Sequence, residues 1–243
     1  MTNEYTEETY GERVADVYDS WYSGFDESSI DLLFELARGG RALELGIGTG
    51  RIALPLARKG IQVSGIDASP KMVEIMRQKP GGAQISVTLG NFADISVVGQ
   101  FPLIYIVFNT FFALLTQEEL VNCFQNVAKH LSENGVFLIE AFVPDLKRFE
   151  AGQAIRAVQV DENRVRIDVT EMDQAAQQLI SQHLVINEAG VQLYPVRLRF
   201  AYPPELDLMA RIAGLRLLNR WGSWRREQFT ADSTRHISIY GKA

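Results

Sequence analysis

The chain has 243 residues, 24 basic against 30 acidic side chains (net charge −6), and is 47% hydrophobic and 22% charged. That balance excludes a disordered chain, and the length excludes a small disulfide-stapled one; one elaborated domain can bury a full core. The acidic excess argues against general affinity for nucleic acid, and no run approaches the ~20 apolar residues of a membrane helix.

The opening residues Met1 to Glu8 are acidic and polar, where a secretory signal is basic and then apolar. With the lone Cys123 unable to form an internal disulfide, a cytoplasmic protein is the expectation. Residues 8–20 place Val14, Val17, Tyr18 and the following Trp21 on one helical stripe. A second amphipathic helix carries Ile30, Leu33, Phe34 and Ala37 and stops at Gly39-Gly40. The rhythm then changes. Residues 42–45 read as a buried strand, 52–58 as a helix, 63–66 as a strand and 72–77 as a helix behind the Ser69-Pro70 cap. Strands follow at 85–89 and 103–108, a helix at 118–131 and a strand at 135–142. Strands that alternate with helices and are apolar throughout imply a parallel sheet covered on both faces.

From about residue 153 the period becomes 2, with Val165, Ile167 and Val169 alternating with Arg166, Asp168 and Thr170. Strands at 179–186 and 191–200 meet across an Asn187–Gly190 hairpin turn. This predicts an antiparallel β-meander, residues 153–201, inserted into a single α/β domain spanning 1–243. A helix over 204–213 and strands at 215–220 and 236–240 complete the frame.

Four segments carry chemistry. Glu44-Leu-Gly46-Ile-Gly48-Thr-Gly50-Arg51 sits between the first strand of the frame and its helix. A dinucleotide turn uses G-x-G-x-x-G to aim a helix N-terminus at a pyrophosphate. Here the spacing is G-x-G-x-G and Arg51 follows, which counts against a nicotinamide or flavin dinucleotide. Asp67 ends the second strand, where a carboxylate can accept both protons of a ribose diol. Asn91 and Phe92, after the third strand, suit an adenine amino group and ring. Phe108-Asn109-Thr110 ends the fourth strand, where α/β sheets place their ligands.

In order, these segments resemble the class I S-adenosylmethionine-dependent methyltransferases, over residues 10–145 and the last two strands. The resemblance implies a seven-stranded Rossmann-like sheet with its last strand antiparallel. It also implies that Gly46 and Gly48 face the methionine part of S-adenosylmethionine, Asp67 the ribose, and Asn91 and Phe92 the adenine. Glu44, Gly50, Ala68, Met72, Phe108 and Asn109 fall along the same cofactor. Residues 1–38 resemble the helical lid of small-molecule members, which puts Tyr18 and Tyr22 over the cofactor's methionine end. The meander resembles that of antibiotic and amino-sugar N-methyltransferases, where it roofs the acceptor pocket or joins subunits.

The expected activity is methyl transfer to a nitrogen or oxygen of a small molecule, with no nucleic-acid or membrane partner and a homodimer through the inserted sheet as a further expectation. His183, the histidine of the meander, is the candidate base for a hydroxyl acceptor. Arg164, Arg166, Arg197 and Arg199 read as a solvated strand face or as a clamp for an anionic acceptor. Phe108, Phe111, Phe112 and Phe142 read as a pocket rim. No metal-ligand spacing joins the three histidines, and no metal is expected. A nicotinamide-dependent reductase and a non-catalytic cofactor-binding protein are the rival readings.

Overall fold

The computed structural model describes residues 5–243. Residues 1–4 of the expected lid therefore lie outside the described residues. Two helices, α1 (Thr9–Trp21) and α2 (Glu27–Ala37), lead into β1 (Arg41–Leu45). There follow α3 (Ala53–Arg58), β2 (Gln62–Asp67), α4 (Pro70–Gln78), β3 (Ser86–Leu89), β4 (Phe101–Ile106), α5 (Gln117–His130) and β5 (Leu131–Phe142). The meander is β6 (Gln153–Val160), β7 (Arg164–Asp173), β8 (Gln178–Asn187) and β9 (Gly190–Arg199). The frame closes with α6 (Pro203–Ile212), β10 (Leu215–Trp221) and β11 (Arg235–Lys242).

Local chemistry sets the helix boundaries. Asp26 accepts from the Ser28 N–H to cap α2, and Ser69 accepts from the Met72 N–H to cap α4 with Pro70 in its first turn. Thr116 and Glu119 form a reciprocal capping box on α5.

The main sheet has the order β10-β11-β5-β4-β1-β2-β3. β1 pairs parallel with both β2 and β4, β4 with β5, and β2 with β3, while β11 runs antiparallel to β5. β4 shows why the strands are apolar throughout. Ile104 and Ile106 face a core with Leu120 and Phe124 of α5 and Leu206 of α6, while Leu103 and Tyr105 face one with Leu33 of α2 and Leu56 of α3. Chain order reverses between β1 and β4, and the crevice beyond their C-terminal ends is where such sheets bind ligands. The loops after β1 and β4 contain Gly46–Gly50 and Phe108–Thr110.

The four meander strands form a separate antiparallel sheet in sequence order. Its base joins the main core through Met172, Leu179 and Leu198, and its upper inner face lies on α1 through Val185 and Tyr194. Among the described residues no helix is long and apolar enough to cross a membrane.

Candidate active site

Gly46 (φ +74°) and Gly48 (φ +54°) turn the chain sharply after β1. A Cβ on Gly46 would lie 2.4 Å from Thr110 Cγ2, so this glycine lets the β1 and β4 loops touch. A Cβ on Gly48 would meet nothing within 4 Å, because that side faces open space. Gly50, expected along the cofactor, instead packs against α4, where a Cβ would lie 2.6 Å from Met76 Cγ.

The space beside Gly48 is a cavity of ≈ 380 Å³ lined by Tyr10, Gly46, Gly48, Asp67, Phe92 and Thr110, among others. Asp67 Oδ2 accepts from the Gly48 N–H (2.7 Å) and Oδ1 from the Ser69 N–H (2.9 Å). Burial raises the Asp67 pKa, against the opposing pull of the Ser69, Gly48 and Ala68 N–H groups. Each oxygen keeps a lone pair for a further donor. Ala68 and Met72 form the wall beyond it, and Met72 also packs on α1. Asn91 lines the cavity, but its carbonyl already accepts from the Ala93 N–H (2.9 Å). Phe92 lines it as well.

A small hollow of ≈ 30 Å³ continues the cavity along Tyr18, Gly46, Gly48 and Thr110 to Glu44, Arg51 and Phe108. Glu44 is buried and accepts from the Tyr105 hydroxyl (2.9 Å). Burial lifts its pKa to about 8, with the Tyr105 hydrogen bond and Arg51 opposing the rise. The Arg51 guanidinium lies 4.1 Å from the Phe108 ring centroid and donates to the Gly24 carbonyl (2.9 Å). Arg51 therefore puts a cation at the Glu44 end of the cleft, a role the glycine spacing did not reveal.

Phe108 (φ +61°) and Asn109 (φ +65°) are consecutive non-glycine residues in the left-handed region, a strained arrangement that needs external support. Glu140 on β5 supplies it. Its Oε2 accepts from the Phe108 N–H (2.9 Å) and its backbone carbonyl from the Asn109 N–H (3.2 Å). Asn109 Oδ1 accepts from the Phe142 N–H (2.7 Å). Asn109 thus straps the turn to β5 and lines neither cavity. Of the expected rim, Phe111 and Phe112 are fully buried, and Phe111 packs edge-on against Phe124 and Phe137. Their 3₁₀ turn points them into the core because the loop doubles back after Asn109.

α1 is latched over the cleft by acids on one side. Glu12 Oε1 accepts from Ser69 Oγ (2.6 Å) and the Lys71 N–H (3.1 Å). Asp16 pairs with Lys71 (2.6 Å), and Asp19 takes both Thr49 Oγ1 (2.6 Å) and Lys79 (2.6 Å). Tyr18 lines both cavities, and burial raises its pKa. Tyr22 lines neither, but its ring is 5.0 Å from Tyr18 and 4.9 Å from Phe108.

His183 is not brought to the cleft. Its Nδ1 donates to Asp168 Oδ1 (2.5 Å), and Trp21 and Tyr22 stand between it and Phe108. The solvated arginine face is overturned in part: Arg166 is 8% exposed, against the Trp21 ring, and Arg199 is 6% exposed and paired with Glu205 (2.8 Å). No meander residue lines the ≈ 380 Å³ cavity; the inner face of the sheet covers the back of α1 instead. Among the described residues no cluster of three His, Cys, Asp or Glu side chains could hold a metal ion.

The methyltransferase domain family matches residues 42–135. The cypemycin N-terminal methyltransferase of a Streptomyces species is 32% identical over 204 residues, 83% of this chain and 82% of that protein. The solved structure of the CcbJ methyltransferase from Streptomyces caelestis superposes with a TM-score of 0.92 at 37% identity, covering 98% of this chain and all of that one. The S-adenosylmethionine-bound CalS10, an amino pentose methyltransferase from Micromonospora echinaspora, shares the fold at a TM-score of 0.71 and 19% identity over the full length of both chains.

Proposed function

The chain belongs to the class I S-adenosylmethionine-dependent methyltransferases, and we propose that it methylates a nitrogen or oxygen of a small molecule, nitrogen first. One observation carries the placement of the cofactor: the bare side of Gly48 opens on a cavity whose far wall holds the buried Asp67 carboxylate. The residues suit the group. Asp67 has free lone pairs for a ribose diol, Met72 and Phe92 offer apolar surface to adenine, and Asn91 keeps its amide NH₂ for a ring nitrogen. Arg51 offers a cation to the methionine carboxylate.

When bound, S-adenosylmethionine supplies an electrophilic methyl group on a sulfonium. The protein's part is alignment and exclusion of water. Phe108, held by Glu140, and Tyr18, carried by the latched α1, form the apolar collar around the acceptor atom. Tyr22 backs Phe108 and supports that collar. A nitrogen acceptor needs only to be neutral when it attacks, so no base is required at the collar. The N-terminal methyltransferase named among the relatives supports nitrogen. A hydroxyl acceptor is the second reading, and it would need a base that His183, held by Asp168 behind Trp21, is not placed to supply.

The net charge of −6 supports a small acceptor over a nucleic acid. The outer face of the inserted sheet exposes Ile155, Val169, Ile180, Ile186, Val191 and Leu193, which supports a homodimer through that sheet. Light scattering on the purified protein tests the dimer.

The experiment for the activity is incubation with methyl-labelled S-adenosylmethionine and a panel of amine and alcohol metabolites, read by mass spectrometry. Label on a small amine supports the proposal. Stoichiometric label on transfer RNA, ribosomal RNA or a protein, with no small acceptor, overturns it.

A further inference from the structure

Where α1 meets the inserted sheet, Arg166 Nε and Nη1 and the Trp21 indole Nε1 are closed off from water and have no acceptor among the described residues; Arg164 Nε, two residues back along β7, is in the same condition. Arginine and tryptophan side chains only donate, so the cluster cannot satisfy itself. Arg164 and Arg166 share the inner face of β7, and the Arg166 Cζ lies 4.7 Å from the Trp21 ring centroid and 5.9 Å from that of Tyr22. The aromatic faces offset some of the charge but do not replace acceptors for these N–H groups. Asp168, the acid next along that face, pairs with His183 (2.5 Å) and Arg156 (3.2 Å) and makes no ion pair with Arg166.

A buried cation with unpaired donors is costly and calls for a partner outside the chain. We propose that Arg166, with Trp21 and Arg164 beside it, is a slot for an oxyanion carried by the acceptor. The substrate class is then an amine or alcohol that also bears a carboxylate, sulfate or phosphate group. This rests on the reading of the cleft above. Tyr22 touches Phe108 at one edge and lies near Arg166 at the other, so a single ring separates the slot from the collar. The slot is shut in this conformation, with Trp21 as its lid, so occupancy must move the indole.

The test uses Trp21 as its reporter. The full-length protein is titrated with sodium acetate, sulfate and phosphate against chloride at constant ionic strength, with and without S-adenosylhomocysteine. Tryptophan fluorescence is followed in wild type and in Trp21→Phe, which identifies the reporting side chain. A saturable change that disappears in Trp21→Phe, and weakens at least tenfold in Arg166→Gln and several-fold in Arg166→Lys, supports the slot. The anion that saturates at the lowest concentration identifies the acceptor's charged group. If Arg166→Gln fails to fold, Arg166→Lys keeps the charge and decides. No saturable response to any oxyanion, or an equal response in the Arg166 variants, overturns the inference. Calorimetry with S-adenosylhomocysteine on the same samples separates the two readings: binding retained with no anion response removes the slot alone.

Discussion

Gly46 and Gly48 stand two residues apart on one loop, both at positive φ, yet an added methyl group should do different things at each. At Gly46 the Cβ would sit 2.4 Å from Thr110 Cγ2 with the backbone at φ +74°. The left-handed backbone costs a side chain about 1–2 kcal/mol and the overpacking about 1–3 kcal/mol. Gly46→Ala should therefore lose roughly 2–5 kcal/mol of stability, a fall in Tm of about 4–20 °C for a chain of this length. At Gly48 the Cβ would meet no atom within 4 Å, so only the backbone term applies, about 1–2 kcal/mol. That methyl group would stand in the proposed cofactor space, and overpacking there by about 1–3 kcal/mol weakens binding roughly 5- to 150-fold. Thermal denaturation measures the first quantity, and calorimetry with S-adenosylhomocysteine on folded protein measures the second. Gly48→Ala binding with wild-type affinity would refute the placement of the cofactor against this loop. Gly46→Ala with wild-type stability would refute the close approach of the β1 and β4 loops.

Asp67→Ala should weaken S-adenosylhomocysteine by about 1.5–3 kcal/mol and also destabilise the fold, because the Gly48 and Ser69 N–H groups lose their acceptor; calorimetry and denaturation read the two effects. Glu140→Leu strips the acceptor from the Phe108 N–H and should cost about 1–3 kcal/mol and most of the turnover, whereas Glu140→Gln, which keeps a carbonyl there, should retain both; equal loss in the two variants would count against the strapped turn. His236 is buried with its pKa lowered to about 3 by burial and then by the Arg220 charge. The unfolded chain therefore takes up a proton near pH 6.5 that the native state refuses. Above that pH both states are neutral and the group carries no linked cost; as pH drops toward 3 the native state loses about 1.4 kcal/mol per pH unit, about 5 kcal/mol in all. Urea denaturation across that range should show a shallower acid slope in His236→Gln.

The frame was legible because its strands are buried on both faces, so runs such as Leu103 to Ile106 announce themselves without any tertiary knowledge. Gly46, Gly48 and Asp67 were legible for a related reason. Each lies at the end of a parallel strand, and adjacent parallel strands put their C-terminal ends on one edge, so spacing along the chain becomes proximity in space. Glu140 was not. Nothing in the apolar run from Val136 to Phe142 of β5 marks out Glu140, and only the pairing of β4 with β5 brings it to the Phe108 N–H. Phe111 and Phe112 failed in the opposite direction. Their neighbours in sequence face the crevice, but the left-handed pair Phe108 and Asn109 turns the next residues back into the core.

The meander shows a sharper limit. Alternation of Val165, Ile167 and Val169 with Arg164, Arg166 and Asp168 says that the two faces of β7 differ, but period 2 does not say which face turns inward. For a sheet packed on an apolar core the aliphatic face would win. Here much of the inner face meets the aromatic flank of α1, and rings such as Trp21 accept a guanidinium where a leucine surface would reject it. The arginines can therefore go in, and several aliphatic residues are left outside. Both consequences bear on function. The polar inner face leaves buried donors beside α1, and the apolar outer face leaves a surface that water alone covers poorly. One inversion of the usual pattern thus underlies both the proposed acceptor slot and the proposed dimer surface, and the two can be separated experimentally: a charge placed at outward-facing Leu193 should disrupt assembly, while Arg166→Lys should weaken the anion response without changing the mass in solution.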